Sequence, residues 1–188
     1  MVNWFNITLN DIKKLILFPR QFWNEKKNEQ TGRITLWTNY FIPLLILAGI
    51  AVFLGELLNG SHMYIVFPVL KAVRKIVLIL CMYFLSYQSV TLVMGLMKQK
   101  KDTNTAHKLT VFSIIPFILI SVITGLFPFL YVVNILGLYS FYIFRTGIKE
   151  LTDFSDKRYN KYIFTVMSGL LVSFVILSVL LSKLLTLL

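Results

Sequence analysis

A chain of 188 residues that is 57% hydrophobic and 14% charged, with a mean hydropathy of +0.75, has too little polar surface to fold as a water-soluble domain. Its net charge of +11 comes from basic residues dispersed at the ends of apolar runs, which points to an anionic membrane leaflet and argues against nucleic acid as a partner. A lone cysteine, Cys81, lies within an apolar run and leaves no intrachain disulfide.

Residues Met1 to Asn10 lack the basic region, short apolar core and small-residue cleavage site of a secretory signal, so the first span is expected to act as its own insertion signal. Leu9, Ile12, Leu15, Ile16, Phe18, Phe22 and Trp23 then recur at near-helical spacing, with Asp11, Lys13, Lys14, Arg20 and Gln21 between them. Thr8 followed by Asp11 has the form of a capping box, and Pro19 should end or kink the first helix. Residues 1–35 read as an amphipathic segment lying in the cytoplasmic interface; packing beneath the membrane bundle is the alternative. Trp4, Trp23 and Trp37 all come before the body of the first span, as indole rings favour an interface, and Trp23 is a candidate for cytoplasmic contact. The stretch from Asn24 to Arg33 is a short polar link.

Residues 36–188 read as an all-α domain of five transmembrane helices. The first span, 36–58, has Pro43 near its start and, near its far end, Glu56, the only carboxylate inside any apolar run. An unpaired charge at membrane depth is costly, so Glu56 is a functional candidate; the bland alternative is that it reaches the outer interface. After a short external loop, Lys71, Arg74 and Lys75 stand on one face of the next helix, placed to snorkel outward or to pair with Glu56. Glu56, Lys71 and Arg74 form the candidate intramembrane polar site. The second span, 69–97, carries Tyr83, Ser86, Tyr87, Gln88 and Ser89, groups that favour hydrogen bonding between helices over a permeation path. The segment KQKKDTNTAHK returns to the cytoplasm, and its His107 has no second histidine or cysteine near it to build a metal site.

Spans 109–126 and 128–146 are joined by little except Phe127 and Pro128, a tight hairpin with basic residues at both ends. At about 1.5 Å per residue, a run of roughly 18 residues covers about 27 Å, close to a hydrocarbon core. From Arg145 to Lys161 acidic and basic residues interleave, and Arg145, Asp153 and Arg158 join Trp23 as candidates for cytoplasmic contact. The last span, 162–183, is charge-free until Lys183 and carries Ser168, Gly169 and Ser173, small residues that permit close packing. With the amino terminus inside and the carboxyl terminus outside, fifteen of the 19 Lys and Arg residues fall on the cytoplasmic side.

Pro116 within the first run of the hairpin, the proline turn, and LYSFYIFRTGIKELTDFSDKRYNKYIF before the last apolar run resemble the Yip domain family, the Ypt/Rab-interacting integral membrane proteins. The similarity extends more loosely over the whole chain, including LFPRQFW. It implies a multi-pass protein with no catalytic residue in the motif; eukaryotic members bind prenylated Rab-type GTPases, and some bacterial relatives look like accessory parts of export systems. The Lys-, Asn- and Ile-rich character is that of a bacterial member, expected in the inner (cytoplasmic) membrane. No nucleophile–base pair, HExxH cluster or GxxxxGK loop is present, so neither an enzyme nor a cofactor is expected. Two functions remain: a scaffold or adaptor acting through a GTPase or an ABC-type exporter at the cytoplasmic face, or a small permease or accessory transport subunit. Association with further copies of the chain stays open.

Overall fold

Seven helical segments are found among the described residues of the computed structural model, which are 2–29, 31–59, 65–96, 103–151 and 156–186. Side chains are described from residue 8 onward within these ranges, except at 93, 96, 156–159, 161–162 and 184–186. His62 and the basic run 98–102 thus lie outside the described residues, as does the side chain of Trp4.

Helix α1 (Val2–Leu17) and helix α2 (Pro19–Lys27) are split where Pro19 takes the first helical position after a non-helical Phe18. Because α1 already begins at Val2, Thr8 sits inside a helix and is not the cap its spacing suggests. Helix α3 (Arg33–Asn59) contains a π-helical turn, Trp37–Phe41, in which the Ile42 amide donates to the Trp37 carbonyl five residues back. Pro43 explains it: a ring without an N–H crowds the turn before it, and the widened turn absorbs the mismatch. Helix α4 is Val66–Leu96, and α5 is Thr103–Leu126. Helix α6 (Pro128–Leu151) starts as a 3-10 helix through Leu138 and continues as an α-helix from Tyr139. Helix α7 is Asp156–Thr186. No strand occurs among the described residues.

Among the described residues, four segments are found long and apolar enough to cross a bilayer: α3, α5, α6 and Ile163–Lys183 of α7. The sequence leads one to expect five. Helix α4, in which the side chains at 93 and 96 lie outside the described residues, is not among those four, although it has no charged residue from Ile76 to Leu92. The protein is nevertheless an all-helical polytopic membrane protein.

Helix α5 is the hub. Of its most apolar stretch 56% is buried by the other helices, against 11% for the peripheral Ile163–Lys183. Where α3 meets α5, a Cβ on Gly55 would lie 1.8 Å from the Gly125 carbonyl oxygen, so glycine alone allows the backbones to touch there. Pro116 interrupts α5, and the amide of the next residue, Phe117, donates to Ser140 Oγ of α6 at 2.9 Å. Phe129, Tyr131, Val132, Ile135 and Leu136 of α6 point away from the bundle, as side chains facing hydrocarbon do.

Candidate functional site

The amino-terminal helices form a layer closing one end of the bundle. Phe22 and Trp23 meet Phe112 of α5 edge-on, with ring centroids 4.9 and 5.9 Å apart. Trp23 Nε1 donates to the Ile143 carbonyl at 3.2 Å, so its one polar atom is satisfied inside the protein. The indole fits only because α6 has Gly147 opposite: a Cβ there would lie 2.6 Å from both the Trp23 ring and Leu109 Cδ1. Trp23, the aromatic member of the candidate contact residues, is fully buried, its ring covered by a notch in α6. Ile12, Leu15 and Phe22 are likewise turned into the protein, so the apolar stripe packs beneath the bundle, while Leu9, Leu17 and Phe18 remain exposed.

Charge holds the same layer from the side. Asp11 accepts a hydrogen bond from Tyr40 at 2.6 Å and pairs with Lys26 at 2.9 Å; Lys26 also pairs with Glu29 at 2.6 Å. Burial alone would lower the Lys26 pKa, but the Glu29 and Asp11 carboxylates outweigh it and raise the ammonium above its ordinary range. Lys108 of α5 donates to the carbonyls of Lys26 and Glu29, closing the end of α2. On the outer side, Lys14 pairs with Glu25 at 2.8 Å and draws the Glu25 carboxyl below its usual range. Arg20, Gln21, Asn24 and Lys27 are exposed beside it, as are Arg145 and Lys149, one turn apart on α6. Asp153 and the side chain of Arg158 lie outside the described residues, so of that trio only Arg145 is placed.

Next to this layer the polar residues of α4 tie helices together. Tyr83 Oη accepts from Trp37 Nε1 at 2.9 Å and lies 2.8 Å from His107 Nδ1, and Tyr87 stacks on the His107 ring at 4.3 Å. His107 therefore joins α5 to α4. The sequence shows each of these residues but not that they converge.

At the opposite end, Glu56 and Lys71 form an ion pair at 2.8 Å, and Lys71 also lies over the Phe67 ring at 4.6 Å. Arg74 turns away from it and donates to the Ser178 carbonyl of α7 at 3.3 Å. Lys75 faces the ring of Phe117 at 5.4 Å. The expected trio is thus one pair and a separate cation, joined by Lys75, which the spacing of 71, 74 and 75 places on the same face.

A family model described as the Yip1 domain matches residues 13–180. The chain belongs to the Yip1 domain family. No curated protein and no solved structure matches it. In this Yip1-domain protein the two stretches that carry the resemblance touch each other. Trp23 of LFPRQFW fills the Gly147 notch of RTGIKE, and Tyr139 Oη of the Tyr-Ser run donates to the Ile16 carbonyl of α1 at 2.8 Å. Ser140 takes the Phe117 amide beside the Pro116 break, so the motif reads as a set of joints between α1, α2, α5 and α6. Yip1 is a family of membrane proteins not known as enzymes.

Proposed function

We propose that this protein is a non-enzymatic scaffold or adaptor of a bacterial inner membrane, with its amino terminus in the cytoplasm and a protein partner docked on the amino-terminal layer. The observation that carries this reading is the two-sidedness of α2. Its inner face is locked by Trp23, Phe22 and Lys26, while its outer face presents exposed Arg20, Gln21, Asn24 and Lys27 next to Arg145 and Lys149 of α6. A helix already held rigid loses little freedom when a partner binds, which suits it to docking. The basic excess favours an acidic partner surface, belonging to a GTPase or to an ATP-driven exporter.

The same reading gives α4 as a fifth crossing. Lys71, near its start, pairs with Glu56 at one end of the bundle, and Tyr83 and Tyr87 meet His107 towards the other. Its 31 residues, at about 1.5 Å each, reach about 46 Å, more than a hydrocarbon core of about 30 Å. An odd number of crossings sets the carboxyl-terminal end outside.

Photoreactive residues at Gln21 and Lys149, crosslinked in native membranes, test the adaptor reading. One and the same partner is expected from both positions, and its identity as GTPase or exporter separates traffic-like from export-linked roles. Capture of lipid and copies of the chain alone would overturn the reading and return attention to the Glu56–Lys71 pair and to transport.

A further inference from the structure

Away from the amino-terminal layer, α4, α5, α6 and α7, with Val52 of α3, enclose a partly open cavity of about 470 Å³. That size falls among the roughly 300–1,000 Å³ of small-molecule sites. Its walls are mainly apolar, with Leu78, Met82, Phe117, Phe144, Leu170 and Phe174 among them, yet Lys71, Arg74 and Lys75 all line it. A second hollow of about 240 Å³ shares Lys71, Lys75 and Asn134 with the first and adds Glu56, Ser121 and Thr124. One end of the combined space is therefore apolar and the other polar.

The polar end lacks a counterpart for its charge. Three cations face one carboxylate, and that carboxylate is already held by Lys71. Among the described residues neither Arg74 nor Lys75 has a carboxylate within ion-pair distance; Arg74 has the Ser178 carbonyl and Lys75 the face of Phe117. Two buried hydroxyls also have no hydrogen-bond partner among the described residues: Ser113, 6% exposed, lines the larger cavity and Ser121, 0% exposed, the smaller. Cations and the unused Ser121 hydroxyl at the polar end of an apolar chamber match an oxyanion carrying a hydrocarbon tail, with Ser113 about 12 Å further along α5.

We propose that this space is a binding site for an anionic amphiphile, a phosphate or carboxylate head on a hydrocarbon chain, with the head at Arg74, Lys75 and the Ser121 hydroxyl and the chain along Leu78, Met82 and Phe174. The proposal is independent of the docking surface at the opposite end. It also accounts for basic residues at positions where a simple inside-positive charge rule would leave none.

The test uses the full chain purified in a neutral detergent and stripped of lipid, titrated by native mass spectrometry. The probes are dodecyl phosphate, dodecanoate, dodecanol, inorganic phosphate, and phosphatidic acid against phosphatidylcholine with identical chains. Dodecyl phosphate and dodecanoate should each bind at least tenfold tighter than dodecanol. Phosphatidic acid should exceed phosphatidylcholine similarly if the occupant is a lipid; preference only for the single-chain probes assigns the site to a soluble amphiphile. Arg74→Gln with Lys75→Gln should abolish the charge preference, whereas Lys75→Arg, which keeps the charge, should retain it and shows that the fold tolerates change there. Equal binding of dodecyl phosphate and dodecanol, a preference that survives the double variant, or full competition by inorganic phosphate would each overturn the proposal.

Discussion

Lys26 decides how the amino-terminal layer responds to pH. Its ammonium sits between Asp11 and Glu29, with the end of the same helix fixed by Lys108, and its pKa is raised in the folded protein. A raised folded-state value means that the stabilisation is complete below the ordinary lysine pKa of 10.5 and is lost as pH rises through the higher folded value. The layer should accordingly stay docked from neutral pH to about pH 10 and loosen only above the ordinary lysine range. Amide hydrogen exchange of α2 across that range checks this, and Lys26→Gln should shrink the alkaline step without abolishing it, because Tyr40 also holds Asp11. At this scale the sequence was partly legible. Glu56 was visible as the lone carboxylate of an apolar run, and its partner Lys71 was within reach by spacing. Trp23 was ambiguous because an indole on an amphipathic stripe has the same spacing whether it faces lipid or protein. The Gly147 notch that receives it lies 124 positions further along the chain, where local periodicity carries no signal. Ser113 and Ser121 gave a weaker signal still, since a serine in a membrane helix commonly bonds to its own helix or a neighbour.

Among the elements, the joint between α2 and α6 is set by a missing side chain. Trp23 and Leu109 Cδ1 both stand 2.6 Å from where a Gly147 Cβ would be, so any larger residue must push α2 off the bundle or deform α5. Gly147→Leu should destabilise the protein by about 1–3 kcal/mol through overpacking. Trp23→Ala should cost about 3–5 kcal/mol by leaving a cavity. Thermal unfolding in detergent measures both, and Gly147→Leu should also weaken crosslinking from Gln21 more than from Lys149, because α2 is the part displaced. The hairpin was readable because Pro128 and the absence of polar residues around it leave no other turn. The π-helical turn before Pro43 and the 3-10 start of α6 were not, because both are tertiary solutions to a helix that must bend around neighbours. The capping box at Thr8 failed for a related reason: Asp11 serves Tyr40 and Lys26, and α1 continues back to Val2.

In the whole molecule α1 and α2 close one end of the bundle while the Glu56–Lys71 pair marks the other, with α4 running between them. Composition made the membrane class plain, and charge bias suggested an orientation. The polar middle of α4 was harder to read, because its packing against Trp37 and His107 joins residues far apart along the chain. The most direct measurement is labelling of single cysteines at Lys27, Lys149 and Lys183, in a Cys81→Ser background, by a membrane-impermeant maleimide applied first to intact cells and then to inverted vesicles. Positions 27 and 149 should label only from the cytoplasmic side and position 183 only from outside, as five crossings require. Labelling of position 183 from the same side as position 27 would contradict this, since an even number of crossings would take α4 out of the membrane or turn α7 back.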